Sequence, residues 1–273
     1  MNIQSIVHPT DFSDLSRRAM AHALRVALAT KSQLHILHVR EPGQQESGES
    51  MHIRRLLDQW GLIDEHQSPR EISAKLGVLV SNVSVEDIAP ARGILRFLDQ
   101  HATDLVVLAT HGREGLERLW AGSIAETVFH RSAIPTLFVP PHARGFVGQV
   151  GGEIRLRRVL VPIDHAPTPA RAVEEVRQFA KVVGGTDTGM YLLHLGTSAP
   201  VLFNTARAVE FEEPVILRSG NPVPSILEAA DEFDVDLVGM PTAGHNGVLD
   251  ALRGTTTERV LRRAPCPVLA VPA

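Results

Sequence analysis

A single cysteine, Cys266, stands in 273 residues. It rules out an intramolecular disulfide and every CxxC redox or zinc pattern, and it suits a reducing compartment. Basic charge is also short. With 27 Lys and Arg against 31 Asp and Glu, the net charge of −4 argues against a nucleic-acid partner or an anionic membrane surface. No apolar stretch approaches the length that spans a bilayer, and Met1 leads straight into a strand-like run with no basic leader before it. The expected location is the cytoplasm, with no membrane partner. Catalytic signatures are missing too: there is no GxxxxGK[ST], hence no Walker lysine, no GxGxxG and no GxSxG elbow. The 13 histidines show no HExxH or HxxxH spacing. The sequence therefore assigns neither a catalytic residue nor a metal ligand.

What is present is an apolar content of 44% with 21% charged residues, ordinary for a soluble globular protein, and a length that suits two domains. Ile3 to Val7 reads as a strand, followed by the turn His8-Pro9-Thr10-Asp11 and helical spacing through Leu15, Ala19, Ala23 and Val26. Leu34 to Val39 is an apolar second strand. Beyond an exposed loop, Ile53, Leu56, Leu57 and Trp60 predict one short helix, and Ser68-Pro69-Arg70-Glu71 opens another as a capping box. Val78 to Val85 is a third strand, Pro90 to Gln100 a helix, Asp104 to Ala109 a fourth strand, Ile124 to Arg131 a helix and Thr136 to Val139 a fifth strand. Strand and helix alternate throughout, as in a parallel sheet covered on both faces.

The chain then repeats itself. Val159 to Asp164 matches Ile6 to Asp11 at an offset of 153, Leu193-His194-Leu195 matches Leu37-His38-Val39 at 156, and everything from the third strand onward matches at 132. The second half thus lacks 24 residues between its second and third strands, those of the two short helices. Gly196 to Pro214 is expected to cross with little or no helix, and Asn221-Pro222 to cap and open the next one. Two prolines and four glycines in Pro140 to Gly152 mark a linker. The expected domains are 1–142 and 156–273, joined by 143–155.

Two elements recur most faithfully: the turn after strand one, and the loop Ala109-Thr-His-Gly112, nine residues, Gly122-Ser123, repeated as Pro241-Thr-Ala-Gly244, nine residues, Gly254-Thr255. Glycines at 112, 122, 244 and 254 let backbone N–H groups approach an anion, and Ser123, Thr255 and Thr256 add hydroxyls at a helix start. Asp11 or Asp164 supplies a carboxylate for ribose hydroxyls or a base amine. If strands one and four are adjacent at a switch point, one crevice holds both ends of a nucleotide site. His111 lies in the first loop, but Ala243 occupies the equivalent position, so the two loops do not share its role.

With its Pro-x-Asp turn, first met here as Pro9-Thr10-Asp11 and matched by Pro162-Ile163-Asp164, and its twice-repeated glycine loop, the chain resembles the universal stress protein family. That family's signature is Gly-x-x-Gly, nine residues, Gly-Ser/Thr. The resemblance covers nearly the whole chain. It implies two tandem flavodoxin-like, Rossmann-like α/β domains, each a five-stranded parallel sheet of order 3-2-1-4-5. It also implies ATP or another adenine nucleotide between strands one and four, with Mg2+ admitted as a companion, and pairing of the halves through their fifth strands about a pseudo-twofold axis. Carried over, Asp11 and Val39 serve the adenosine end and Gly112, Gly122 and Ser123 the phosphates, with Pro9, Thr10, Ala109, His111 and Ile124 as further candidate cofactor-binding residues. The second-half counterparts are Pro162, Asp164 and Leu195, then Pro241, Gly244, Gly254, Thr255 and Thr256. Ala109 and Pro241 replace the first motif glycine, and Pro241 removes an N–H. The expected function is an ATP-binding stress-response protein whose nucleotide occupancy tunes conformation or partner choice. The alternatives are a slow ATPase or adenylyl-handling hydrolase, and a non-binding pseudo-symmetric scaffold. Beyond the intramolecular pseudo-dimer, pairing of whole chains into a homodimer stays open.

Overall fold

The computed structural model describes residues 1–44, 51–64, 66–110, 124–164, 169–198, 202–204, 207–209, 213–242 and 256–272. The first half runs β1 (Ser5–Pro9), α1 (Asp14–Thr30), β2 (Gln33–Arg40), α2 (Met51–Gln59), α3 (Pro69–Leu76), β3 (Val80–Glu86), α4 (Pro90–Gln100), β4 (Leu105–Ala109), α5 (Ile124–Ser132) and β5 (Thr136–Val139). The second runs β6 (Arg158–Ile163), α6 (Ala170–Gly184), β7 (Gly189–Leu195), β8 (Leu202–Asn204), β9 (Arg207–Val209), β10 (Val215–Arg218), α7 (Pro222–Glu232), β11 (Leu237–Thr242), α8 (Thr256–Leu261) and β12 (Val268–Pro272).

Local chemistry sets several of these boundaries. Ser13 caps α1 by accepting the Ser16 N–H at 3.2 Å. Ser68 and Glu71 form the expected capping box, with Pro69 in the first turn of α3, where its missing N–H leaves no helix bond unmade. Asn221 stands at the cap of α7 as expected, yet its side chain makes no capping hydrogen bond.

The strands order as β10-β7-β6-β11-β12-β5-β4-β1-β2-β3. Each half is thus a parallel 3-2-1-4-5 sheet, and the two fuse where β5 and β12 pair antiparallel, Leu137 opposite Leu269. The fifth strands meet as expected. Pairing removes two apolar edges that would otherwise invite aggregation. One face of the fused sheet carries α1, α2 and α6, whose Ala23, Leu57 and Phe179 share a core; the other carries α4, α5, α7 and α8, with Phe97, Phe129, Ile226 and Leu261.

Two segments hold contacts that the sequence reading did not give them. The segment read as a linker is packed: Phe146 is buried between α1 and α6, edge-on to His22 at 4.7 Å and to Phe179 at 6.5 Å. Val147 bridges Ile154, Arg18 donates to the Ala143 carbonyl at 2.7 Å, and the Arg144 N–H donates to the Pro265 carbonyl at 2.7 Å. Its apolar residues fill a gap between elements, so they follow neither helical nor strand periodicity. Gly196 to Pro214 contains no helix among its described residues, but it does hold the antiparallel pair β8–β9, which the sequence reading did not foresee. Among the described residues no helix is long and apolar enough to cross a membrane.

Candidate nucleotide site

β1 and β4 are neighbours, Ile6 opposite Leu105 and Val7 opposite Val106. The helix after β1 packs on one face of the sheet and the helix after β4 on the other, so a crevice opens beyond their carboxyl ends. Next to Ser16 but with no exposed surface lies His8, fully buried, with Nδ1 2.9 Å from the Val107 carbonyl and Nε2 3.4 Å from the Ser16 hydroxyl. Burial lowers the His8 pKa to about 4. The ring is therefore neutral near pH 7, and because a carbonyl only accepts, the proton sits on Nδ1.

The rim is a turn built by short polar side chains. Ser16 donates to Thr10 Oγ1 at 2.8 Å, and Thr10 Oγ1 also accepts the Phe12 N–H at 3.0 Å. Asp11 Oδ1 accepts the Ser13 N–H at 3.1 Å and the Ser13 hydroxyl at 2.7 Å. Phe12, at φ +60°, takes the left-handed conformation that reverses the chain. Asp11 is exposed at this rim.

A cavity of about 130 Å³ lies between the turn and β4. Pro9, Thr10, Asp11 and Ser16 form one wall, Leu37, His38 and Val39 of β2 the next, Pro90 and Ile94 of α4 the third, and Leu108, Ala109, Ile124 and Ala125 the last. The lining is mostly apolar, with Thr10, Asp11, Ser16 and His38 as its polar groups, the mix common in small-molecule sites. Gly93 sets the third wall: a Cβ there would lie 2.8 Å from Val39 Cγ1 and 3.1 Å from Asp87 Cβ. Asp87, buried beneath α4, accepts the Ala89 N–H at 2.9 Å and is gripped by Arg92 and Arg96. Hydrogen bonds from Arg92 hold its carboxyl well below the usual carboxylate range.

Of the expected residues, Pro9, Thr10, Asp11, Val39, Ala109 and Ile124 meet in this one cavity. His111, Gly112, Gly122, Ser123, Gly244, Gly254 and Thr255 lie outside the described residues. In the second half Pro162 of β6 pairs with Leu193 of β7, Asp164 follows β6 and is exposed, and Leu195 ends β7. Pro241 faces Val271 near the end of β11, and Thr256 opens α8. β6 and β11 are adjacent, Val159 opposite Leu237, so the second half has the same switch point. Sequence reasoning missed the work of the paired histidines. His38 Nδ1 donates to the Thr10 carbonyl at 2.8 Å, and His194 Nδ1 stands 3.1 Å from the Ile163 carbonyl. Each strand-two imidazole fastens the residue before the turn aspartate. The repeat of His38 as His194 was the available signal; the carbonyl partner was not.

The sequence model of the universal stress protein family matches residues 2–140 and 202–272. The chain belongs to the universal stress protein family. Among relatives, a universal stress protein of Methanocaldococcus jannaschii is 31% identical over 140 residues, 50% of this chain and 81% of that protein. One from Synechocystis is 26% identical over 140 residues, 45% of this chain and 89% of that protein. The solved universal stress protein from Archaeoglobus fulgidus shares the fold along the whole length: TM-score 0.65 at 19% identity, covering 100% of this chain and 99% of that one. The relatives match about half of this chain each, whereas that solved structure matches both halves together, as expected of a tandem member of the family.

Proposed function

We propose that this universal stress protein binds an adenine nucleotide, ATP in first place, in the crevice between β1 and β4, and that occupancy tunes its conformation or its choice of partner. The observation that carries the reading is the cavity bounded by Asp11, Val39, Ala109 and Ile124, at the switch point and next to the start of α5. Asp11 takes the ribose or base end, Val39 packs on the base, and Gly112, Gly122 and Ser123 bind phosphate. Asp164, Leu195, Gly244, Gly254, Thr255 and Thr256 do the same in the second half with a different affinity. The domains are 1–142 and 156–273, and residues 143–155 hold them together.

The test is mass spectrometry of ligand released from purified protein, with melting temperature followed on adding ATP, AMP or cyclic AMP. The expected result is a co-purified adenine nucleotide, or a melting shift with ATP that Gly112→Val removes. No nucleotide and no shift with any of the three would overturn it.

A further inference from the structure

A second cluster of chemistry-bearing side chains sits away from the crevice, where the two halves meet. Antiparallel pairing of β5 with β12 leaves the helices that precede them, α5 and α8, on the same face of the sheet, one from each half, where His130 of α5 approaches Glu258 of α8. Glu126 and His130 lie one turn apart on α5, four residues being the spacing that puts two side chains on one helical face. Glu258 reaches toward them from α8. One ligand atom from each residue, two carboxylate oxygens and an imidazole nitrogen, lies within 4.8 Å of the others, and His130 Nε2 is 3.7 Å from Glu258 Oε1.

We propose that Glu126, His130 and Glu258 form a binding site for a divalent transition-metal ion of the Zn2+ class at the junction of the halves. Two carboxylates and one imidazole match the borderline ligand preference of Zn2+, whose bonds to nitrogen and oxygen run about 2.0–2.2 Å. Ligands on a tetrahedral ion at that distance stand about 3.4 Å apart, close to the His130–Glu258 separation. The three protein donors leave a fourth position for water. The two glutamates are buried while the His130 side chain keeps 21% of its surface exposed, so the site has a solvent side by which an ion enters. Phe129 stands beside the imidazole, ring centres 5.4 Å apart.

The repeat supplies an independent argument. Glu258 is the 132-residue counterpart of Glu126, so the pseudo-twofold axis brings the same glutamate from both halves to one place. The counterpart of His130 is Arg262, which is not a metal ligand. The chain therefore holds one imidazole where a symmetric pair would hold two, and the site takes a single ion. Since Glu258 lies 132 residues beyond Glu126 along the chain, the three donors match no local zinc-ligand spacing.

The experiment is Zn2+ titration of the chelator-treated full chain by calorimetry, with Co2+ absorption spectra in parallel. The expected result is one equivalent of Zn2+, a raised melting temperature, and visible Co2+ bands of low-coordinate type. His130→Ala is expected to weaken binding by about 100-fold, at or beyond the cost of losing an outer-shell partner. His130→Arg, which places in this half the residue type of its counterpart, is expected to abolish binding while leaving the metal-free melting temperature unchanged. No stoichiometric Zn2+ binding by the parent chain would overturn the proposal, as would binding left intact by both His130 substitutions. The latter result would place the ion on other histidines and leave the cluster as an imidazole bridging two carboxylates.

Discussion

At the level of single residues, two buried imidazoles tie stability to pH. His8 lies under the crevice and His22 under the packed segment at Phe146, and burial lowers both to a pKa of about 4 from an ordinary 6.5. In the unfolded chain each takes a proton near pH 6.5; in the folded chain each resists until about pH 4. Unfolding therefore binds protons within that window, and stability, full above it, falls as pH is lowered through it. The size is roughly 3 kcal/mol for each ring. Urea midpoints measured at pH 7.5 and pH 5 are expected to differ markedly, and His22→Leu to reduce the difference; a flat profile contradicts the buried neutral assignment. Asp11 poses a separate question, since its carboxylate both shapes the turn through Ser13 and stands at the crevice rim. Asp11→Asn keeps an oxygen for the Ser13 N–H but gives up the charge. Nucleotide affinity is expected to fall by about 1.5–3 kcal/mol, the worth of a hydrogen bond to a charged group, with little change in melting temperature. Unchanged affinity would remove Asp11 from the site.

At the level of elements, the wall of the crevice depends on how closely α4 approaches β2. Gly93 permits that contact, with Val39 and Asp87 pressed where a side chain would begin. Gly93→Val forces α4 outward and tilts the Val39 wall, at a cost of about 1–3 kcal/mol for overpacking. Both a lower melting temperature and weaker nucleotide binding are expected; loss of stability with intact binding would show that this wall does not touch the ligand. The elements themselves were legible because they are strongly periodic and well punctuated. Pro90 to Gln100 and Thr136 to Val139 appear as read, and the capping box at Ser68 forms. What escaped the sequence was contact between distant residues of mixed character. Phe146 follows no period because it plugs a gap, β8–β9 is a short antiparallel pair in a stretch without clear alternation, and the partner of His38 is a backbone carbonyl that no motif records. In the candidate site, Asp11 and Val39 were reached through the repeat, whereas Ser16, Pro90 and Ile94 join the cavity only through the folding of α1 and α4 over it.

At the level of the whole molecule, the junction of the halves is a continuation of the sheet rather than a loose domain contact. Leu137 and Leu269 face each other and belong to one core, while Phe138, Val268 and Ala270 belong to the core on the opposite face. A slip of one residue between β5 and β12 would exchange those faces, so burial on both sides locks the register. The packed segment around Phe146 adds a second tie, because it rests on α1 of the first half and α6 of the second. Two repeats sharing both cores in this way are expected to unfold together. Calorimetry should give a single transition, and Leu137→Ala, which empties a fully buried position on β5, should cost about 2–5 kcal/mol. Hydrogen exchange then decides whether that cost is shared: amides of β6 and β11 in the second half should lose protection along with those of β1 and β4 in the first. Two resolved transitions, or loss of protection confined to the first half, would mean that each repeat folds by itself and that the shared strand pair carries little of the coupling.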